Sequence, residues 1–258
     1  MTVNILAVGD ISGNAGLKIL QKKLRNFIKL KNISFTVVNG ENASAMGITP
    51  NQAEEIFDSG ADVITLGNHA FDRKEIYDYL DDTARIIRPS NYASQTPGQG
   101  YTVVDSQFGN VLVINLIGRC DMIFGAENPF FEADKILKSA TAKVILVDMH
   151  ASATSEKLAM CHYLDGRVSA VWGTHTHVQT SDACIFRGGT GCITDLGMTG
   201  AEYSVIGIRP EQSISYFLGN PKPRFEAADG PSKMECVIFE IDSETGKCLH
   251  VETFRILD

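Results

Sequence analysis

The sequence lacks any apolar run long enough to cross a membrane. Its longest apolar stretch, residues 111–117, contains Asn115 and falls far short of the roughly 20 residues that a transmembrane helix needs. The first ten residues end in Gly9 and Asp10 and carry no signal-peptide cleavage pattern. We therefore expect a cytoplasmic protein with no membrane partner.

Paired cysteines and an excess of positive charge are also missing. The six cysteines stand singly, without a Cys-x-x-Cys pair, so the sequence indicates neither a zinc ribbon nor a disulfide framework. The 23 basic and 31 acidic residues give a formal net charge of −8, whereas nucleic-acid binding through phosphates requires clustered Lys and Arg. We expect no strong nucleic-acid binding, and a phosphate substrate would need another source of positive charge.

No feature divides the 258 residues into separate domains. The chain has no internal repeat, no low-complexity tract and no linker rich in Pro, Gly or Ser. A composition of 44% hydrophobic and 21% charged residues is typical of a globular protein, and the length fits one large α/β domain. We therefore expect residues 1–258 to form a single domain.

Apolar periodicity predicts strands that alternate with helices. Strands are predicted at residues 4–9, 35–38, 62–66, 143–148 and 168–172. Helices are predicted to begin near residue 13 and at Pro50, and to span residues 129–139 and 154–164. This alternation predicts parallel strands whose following loops gather at the carboxyl edge of the sheet, where open α/β sheets bind ligands.

Two further segments predict β-hairpins, and with them a second sheet. The first hairpin pairs residues 101–105 with 111–117, and the second pairs residues 234–241 with 247–256. In the second hairpin we expect Asp242 to oppose Lys247, which would place Cys236 opposite Thr253 and away from Cys248. A disulfide between these two cysteines is therefore not expected.

Five predicted strands are followed by polar residues that can bind a metal ion. These residues are Asp10, Glu41, Asn68, His150 and the pair His175 and His177. Each of these residues alone is weak evidence for a metal site, because Asp10 could cap a helix and Glu41 or Asn68 could form a turn. Because strand ends meet at one edge of a sheet, their coincidence predicts a metal site there.

The chemistry of these residues predicts two transition-metal ions. Carboxylate, amide and imidazole groups without thiolates fit Mn, Fe, Zn or Co ions better than Mg²⁺ or Ca²⁺, which prefer oxygen alone. A tight loop at His175-Thr176-His177 can direct two imidazoles to two neighbouring ions. With Asp10 and Glu41 ionised, two divalent ions leave a positive site for a hydroxide and a phosphate ester.

The segments that carry these residues resemble the motifs of calcineurin-like metallophosphoesterases. They are, in chain order, Gly9-Asp10, Gly40-Glu41-Asn42, Gly67-Asn68-His69, Asp148-Met149-His150 and Gly173-Thr174-His175-Thr176-His177. Two positions depart from the common pattern, since Ser12 replaces a histidine and Glu41 replaces the usual bridging aspartate. Both departures are typical of the YmdB-like family, which the chain resembles nearly end to end. Ser152 differs, because relatives often carry an acidic residue there.

The resemblance implies a four-layer α/β/β/α sandwich with two mixed sheets, and a site for two ions, iron or manganese before zinc or cobalt. It assigns Asp10, Glu41, Asn42 and His177 to one ion, and Glu41, Asn68, His150 and His175 to the other. The implied activity is hydrolysis of a small phosphodiester, which in relatives is a 2′,3′- or 3′,5′-cyclic nucleotide.

The expected chemistry is in-line attack by a hydroxide that bridges the two ions. His69 is left over from the ligand set, so we expect it to contact the phosphate and to protonate the departing ribose oxygen, with Asp72 orienting its ring. Asn42 is also expected to contact the substrate, and Thr199 and Gly200 are expected to line the pocket.

Other functions stay open at this point. A phosphomonoesterase or a ribonuclease would use the same metal site, and a regulatory protein could bind a phosphodiester or RNA with little turnover. A homo-oligomer is compatible with a compact enzyme. His162 and His250 have no polar partners in the sequence pattern, and we expect both to lie outside the site.

Overall fold

The computed structural model describes residues 1–122 and 125–258. The strands are β1 (Thr2–Val8), β2 (Asp10–Ile11), β3 (Ile33–Asn39), β4 (Val63–Thr65), β5 (Ile86–Ile87), β6 (Tyr101–Ser106), β7 (Gly109–Ile117), β8 (Val144–His150), β9 (Ala170–Thr174), β10 (Cys184–Ile185), β11 (Gly191–Ile193), β12 (Met198–Ala201), β13 (Ser232–Asp242) and β14 (Cys248–Leu257). The helices are α1 (Gly13–Leu30), α2 (Pro50–Ser59), α3 (Ile76–Asp82), α4 (Pro129–Leu137), α5 (Thr154–Leu164) and α6 (Pro210–Phe217).

The first sheet contains the parallel strands that alternate with α1 and α2. Its order is β2-β12-β13-β1-β3-β4-β5, and β14 pairs with β13. Strands β1, β3, β4 and β5 are parallel, whereas β13 runs antiparallel to both β1 and β14. The sheet is therefore mixed, and the carboxyl ends of its parallel strands lie at the same edge.

The second sheet has the order β10-β11-β9-β8-β7-β6. Its inner strands β11, β9, β8 and β7 are parallel, and the edge strands β10 and β6 are antiparallel to their neighbours. The predicted hairpin of residues 101–117 is confirmed as β6 and β7. This sheet therefore also brings the carboxyl ends of parallel strands, β8 and β9 among them, to one edge.

Three apolar clusters separate four layers of secondary structure. Leu20 and Leu24 of α1, with Ile56 of α2, pack on the outer face of the first sheet. Between the sheets, Trp172 of β9 stacks on Phe239 of β13 with ring centroids 5.8 Å apart. Helices α4 and α5 cover the other face of the second sheet. The expected α/β/β/α sandwich with two mixed sheets is confirmed.

Local sequence explains where the helices begin. At α2 the Thr49 hydroxyl accepts from the Gln52 N–H at 3.4 Å, Gln52 Oε1 accepts from the Thr49 N–H at 3.0 Å, and Pro50 starts the first turn. Helix α5 has the predicted bounds. In the part of the chain that the structure describes, no helix combines the length and the apolar composition needed to span a bilayer.

The register predicted for the last hairpin is wrong by one residue over most of its length. The Asp242 N–H donates to the Lys247 carbonyl at 2.9 Å, as expected at the turn. A bulge between Glu240 and Ile241 then shifts the pairing, so Cys236 lies opposite Phe254 instead of Thr253. All six cysteines are free thiols.

Candidate metal centre

The carboxyl ends of the parallel strands bring the predicted ligands together. The residues, each with its strand, are Asp10 at the start of β2, Glu41 and Asn42 after β3, Asn68 after β4, His150 at the end of β8, and His175 and His177 after β9. Asp10, Glu41 and His150 are completely buried. Charged groups at this depth require partners, so their contacts decide what the site can bind.

One group of ligands surrounds the Nε2 atom of His150. This atom lies 2.9 Å from Asn68 Oδ1, 3.1 Å from Glu41 Oε1 and 3.1 Å from His175 Nδ1. Atoms that bind one ion at about 2.1 Å, with angles of about 90–110°, lie roughly 3.0–3.4 Å apart. The observed spacing matches that of ligands around a shared ion, and the ligand atoms of Glu41, His150 and His175 all lie within 4.8 Å of one another.

A second group lies around Oδ1 of Asp10. His177 Nε2 is 3.7 Å from this oxygen and 3.2 Å from Asn42 Nδ2. Asp10 Oδ1 is buried and finds no hydrogen-bond partner among residues 1–122 and 125–258. Buried carboxylate oxygens are normally satisfied, and a cation here would supply the missing interaction. The residues therefore fit a metal ion.

Glu41 and His175 connect the two groups. Glu41 Oε1, which contacts His150, also accepts from Asn42 Nδ2 at 3.1 Å. The backbone N–H of His175 donates to Asp10 Oδ2 at 3.3 Å. Asn42 thus turns its NH₂ group toward the ligands, and binding of an ion through its Oδ1 would require the amide to rotate.

Burial and mutual charge shift the pKa values of the carboxylates. Burial raises the pKa of Asp10 to about 6, although His177 and His150 act in the opposite direction. Burial also acts to raise the pKa of Glu41, but the charge and hydrogen bond of His150 outweigh it and hold this pKa at about 2. Glu41 is therefore ionised at every physiological pH, whereas Asp10 still exchanges a proton near pH 6.

The pKa values of His150 and His175 shift in opposite directions. Burial acts to lower the pKa of His150, but the Glu41 carboxylate outweighs it and raises this pKa to about 9. Burial, reinforced by the charge of His150, lowers the pKa of His175 to about 3. His175 is therefore neutral and free to bind a cation, whereas His150 must first release a proton.

The loop of residues 175–177 is held in a strained conformation. His175 has a φ of 94° and His177 a φ of 63°, values that residues with a Cβ rarely adopt. Between them, the Thr176 N–H and hydroxyl donate to Asp195 Oδ2 at 3.2 and 2.6 Å. Lys157, buried on α5, donates to the same oxygen at 2.6 Å. This ion pair anchors the loop that presents both imidazoles.

Hydrogen bonds on the far side of the rings select the nitrogen that faces the site. Thr174 Oγ1 donates to Asp148 Oδ1 at 2.7 Å and so accepts from the Nδ1–H of His150 at 2.8 Å. The Nδ1–H of His177 donates to the carbonyl of Ile206 at 2.8 Å. Nε2 of both histidines is thereby turned toward the carboxylates, as in metal-bound histidines generally.

Sequence reasoning missed these supporting residues. It assigned no role to Asp148, Thr174, Lys157, Asp195 or Ile206. Asp148 did carry a signal, because a carboxylate inside the apolar run of β8 requires buried partners. The sequence around Lys157 and Ile206 gives no such signal, since the residues that they contact come from distant parts of the chain.

His69 lies beside the ligands without joining their cluster. Its backbone N–H donates to Glu41 Oε2 at 3.2 Å, and its side chain faces the open cleft above the site. Asp72 Oδ2 accepts from its Nδ1 at 2.7 Å, the contact expected for an orienting carboxylate. Among residues 1–122 and 125–258 no hydrogen bond to its Nε2 is found, so this nitrogen is available to a ligand.

Thr199 and Gly200 do not line this cleft in the part of the chain that the structure describes. Both are buried on β12, and Thr199 pairs with Ile11 of β2. Ser152 donates to the carbonyl of Asp121 at 3.4 Å and lies outside the ligand cluster. Contacts of these residues with a substrate therefore have no geometric support.

The cleft has a volume of about 380 Å³ and two chemically different walls. The polar wall consists of Ser12, Glu41, Asn42, His69, His175 and His177, and the other wall is mainly apolar, with Ala45, Met46, Val205, Ile206, Ile208, Ser213, Tyr216, Phe217 and Phe225. Its size is that of a small-molecule site. The cleft can therefore place one end of a small ligand against the carboxylates and imidazoles.

Comparison with known proteins identifies the family of the chain. The model of the YmdB-like protein family matches residues 6–254. The chain is 40% identical over 259 aligned residues to a 2′,3′-cyclic-nucleotide 2′-phosphodiesterase of Bacillus subtilis, covering 99% of this chain and 98% of that protein.

Solved structures extend the match to the fold. A crystal structure described as a novel phosphatase from Mycoplasma pneumoniae superposes with a TM-score of 0.95 at 31% identity, covering 100% of this chain and 94% of that one. The calcineurin-like phosphoesterase YfkN of Bacillus subtilis shares the fold, with a TM-score of 0.57 at 11% identity, covering 100% of this chain and 90% of that one. The chain therefore belongs to the YmdB-like family of phosphodiesterases and phosphatases, and is an enzyme.

Proposed function

We propose that this enzyme is a metal-dependent phosphodiesterase that hydrolyses cyclic nucleotides, 2′,3′-cyclic, 3′,5′-cyclic or both. The observation that carries the proposal is the pair of adjacent ligand groups, one around His150 Nε2 and one around the unpartnered Oδ1 of Asp10. The name of the Bacillus subtilis relative supports the substrate class.

Each ion would be held by one of the two groups. Asp10, Glu41, Asn42 and His177 would bind the first, and Glu41, Asn68, His150 and His175 would bind the second. When bound, such ions acidify water and neutralise the charge of a phosphodiester, and iron or manganese suits the mixed oxygen and nitrogen ligands. Glu41, whose carboxylate stays ionised and contacts residues of both groups, would be the shared ligand.

His69 would act as the general acid. Its Nδ1 contacts Asp72 and the residue lines the cleft, so its Nε2 would be the atom that protonates the ribose oxygen leaving the phosphorus. A correctly placed acid contributes on the order of 10² to 10⁴ in rate. The backbone N–H of His69 donates to Glu41 Oε2, which fixes the acid next to the shared ligand.

The test is hydrolysis by protein reconstituted with Mn²⁺ or Fe²⁺. We expect release of nucleoside monophosphate from 2′,3′- or 3′,5′-cyclic nucleotides, loss of this activity in Glu41→Gln, and a 10²-fold or greater decrease in kcat for His69→Ala. His162→Ala is the matched control, because His162 is exposed on α5 against Phe186. Equal turnover by His69→Ala and the wild type would refute the general acid, and absence of turnover in the wild type would refute the activity.

The same assay separates the rival functions. Nucleoside monophosphates test a phosphomonoesterase, a short single-stranded RNA tests a ribonuclease, and binding of cyclic nucleotide without hydrolysis would indicate a sensor. Cytoplasmic location and assembly into a homo-oligomer stay predictions from the sequence. Cell fractionation tests the first, and light scattering tests the second.

A further inference from the structure

The apolar wall of the cleft lines the same cavity as Glu41, Asn42, His175 and His177, and its side chains take no part in metal binding or proton transfer. It is formed by the turn of residues 205–208, by Tyr216 at the end of α6 and by Phe225. We propose that this wall binds the nucleobase of the substrate and that Ile206, Tyr216 and Phe225 determine the preference for nucleotides over other phosphodiesters. This inference rests on the proposed cyclic-nucleotide activity.

The turn that carries Ile206 is strained. Val205 and Ile208 exchange two backbone hydrogen bonds of 2.9 and 3.0 Å, and Ile206 and Gly207 between them have φ values of 48° and 96°. Two-residue hairpins with positive φ at both central positions favour Asn followed by Gly, and a β-branched residue is a true outlier there. Despite the strain, 52% of Ile206 is exposed, so core packing does not explain its presence.

The strained turn is fixed directly beside the ligands. The carbonyl of Ile206 accepts from His177 Nδ1 at 2.8 Å, so the same residue orients a ligand and extends its side chain along the cleft. Gly207 lies so close to Ser12 that a Cβ at Gly207 would be 2.0 Å from Ser12 Oγ. The position of the apolar side chain relative to the polar wall is therefore set by the backbone.

Aromatic rings complete the wall. Tyr216 and Phe225 meet edge to face, with ring centroids 5.9 Å apart and planes at 88°, and 40% of Tyr216 is exposed. A flat heterocycle can stack on one ring of such a pair while the second ring holds the first in place. Stacking of a base on an aromatic side chain contributes enough to change affinity about tenfold or more.

The charges of the cleft favour a single nucleotide over a polynucleotide. Among the described residues that line the cleft there is no Lys or Arg. A polynucleotide carries a phosphate at every residue and needs basic side chains along its path. A cyclic nucleotide has one phosphate, which the metal site can neutralise, and one base, which suits the apolar wall.

The experiment compares a 2′,3′-cyclic nucleotide with 1-O-methylribose 2′,3′-cyclic phosphate, which has the same reacting phosphate and no base. The readout is the ratio of kcat/KM for the two substrates. We expect a ratio of at least ten in the wild type, a decrease of about tenfold in Tyr216→Ala or Phe225→Ala, and recovery of most of the ratio in Tyr216→Phe. Phe131→Ala, which removes an exposed ring from α4, is the matched control.

Ile206→Asn separates a role in binding from a role in folding. Asn relieves the strain of positive φ, so we expect the unfolding midpoint to rise by about 2–4 °C while the kcat/KM ratio falls. A purely structural Ile206 would leave the ratio unchanged in the more stable variant, and this result would overturn its assigned role.

The outcomes distinguish the two proposals. If the wild type hydrolyses neither substrate, nor a 3′,5′-cyclic nucleotide assayed beside them, the proposed function fails. If it hydrolyses both with equal kcat/KM, or if Tyr216→Ala lowers both equally, the phosphodiesterase stands and the nucleobase wall is refuted.

Discussion

Lys157 Nζ lies 2.6 Å from Asp195 Oδ2, and both side chains are almost fully removed from solvent. Asp195 Oδ2 also accepts from the backbone N–H and the hydroxyl of Thr176. Asp195 Oδ1 accepts from the Gly197 N–H at 2.8 Å. This arrangement joins α5 to the loop that carries His175 and His177. The pair therefore supports the strained loop, although it lies outside the ligand cluster.

Loss of the lysine should be strongly destabilising. Lys157→Met leaves a buried carboxylate without its counter-ion, and we expect the free energy of unfolding to fall by about 3–5 kcal/mol. Urea denaturation measures the loss. The control is Arg167→Met, which removes a surface ion pair with Asp134 and should cost far less, because exposed pairs are screened by solvent. Equal losses in the two variants would show that the buried pair does not anchor the loop.

The contact of Thr174 with Asp148 should control metal affinity through His150. Thr174→Val removes the acceptor of the His150 Nδ1–H and leaves the ring free to change tautomer. We expect metal affinity to fall by about 10- to 100-fold, as for other residues that orient metal-bound histidines. Thr174→Ser keeps the hydroxyl and should retain affinity within a few-fold. Competition with a chelator of known affinity measures both, and equal affinities of the two variants would contradict the prediction.

Local pattern and strand direction predicted the alternating elements and the meeting point of the candidate ligands, whereas the four layers were implied by the family resemblance. Alternating strands and helices place Glu41 and Asn68 at the carboxyl edge of the first sheet and His150 at that of the second, without any knowledge of contacts. The supporting contacts could not be predicted in this way, since Thr174 and Asp148 meet only after two strands have paired. The bulge beside Glu240 carries no distinctive residue, and the register of the last hairpin was therefore missed.

The apolar wall of the cleft was also outside the reach of periodicity. Much of the wall comes from the turn of residues 205–208 and from α6, which has only eight residues, too few for a clear repeat. The positive φ of Ile206 opposes its intrinsic preference, so propensity alone predicts a different residue there. Such disagreement between local preference and structure is expected at functional sites.

A single methyl group at Gly67 should weaken metal binding. A Cβ at this position would lie 2.3 Å from Glu41 Oε2 and 2.3 Å from His150 Nε2. Gly67→Ala must therefore displace the Glu41 carboxylate and the His150 imidazole. We expect a loss of metal affinity of at least tenfold, by analogy with other disturbances of ligand orientation, with circular dichroism showing retained secondary structure. Elemental analysis after dialysis measures the bound ions.

Gly191→Ala is the matched control for this variant. Its Cβ would be crowded to a similar degree, 2.7 Å from both Cys248 Sγ and Phe239 Cδ1, but within the core between the sheets. It should lower stability and leave the metal content unchanged. Equal metal content in the two glycine variants would contradict placement of the ions between Glu41 and His150.

Metal binding should release protons in a pH-dependent manner. In the metal-free protein the pKa of His150 is raised to about 9 and that of Asp10 to about 6, whereas both groups must be deprotonated to bind an ion. At pH 8, Asp10 is already ionised and His150 is mostly protonated, so binding should release roughly one proton. Between pH 7 and 5 Asp10 also becomes protonated and adds about one proton to the release, while the apparent affinity falls. Calorimetric titration with Mn²⁺ in buffers of different ionisation enthalpy measures the proton count, and binding at pH 8 without proton release would show that His150 is not a ligand.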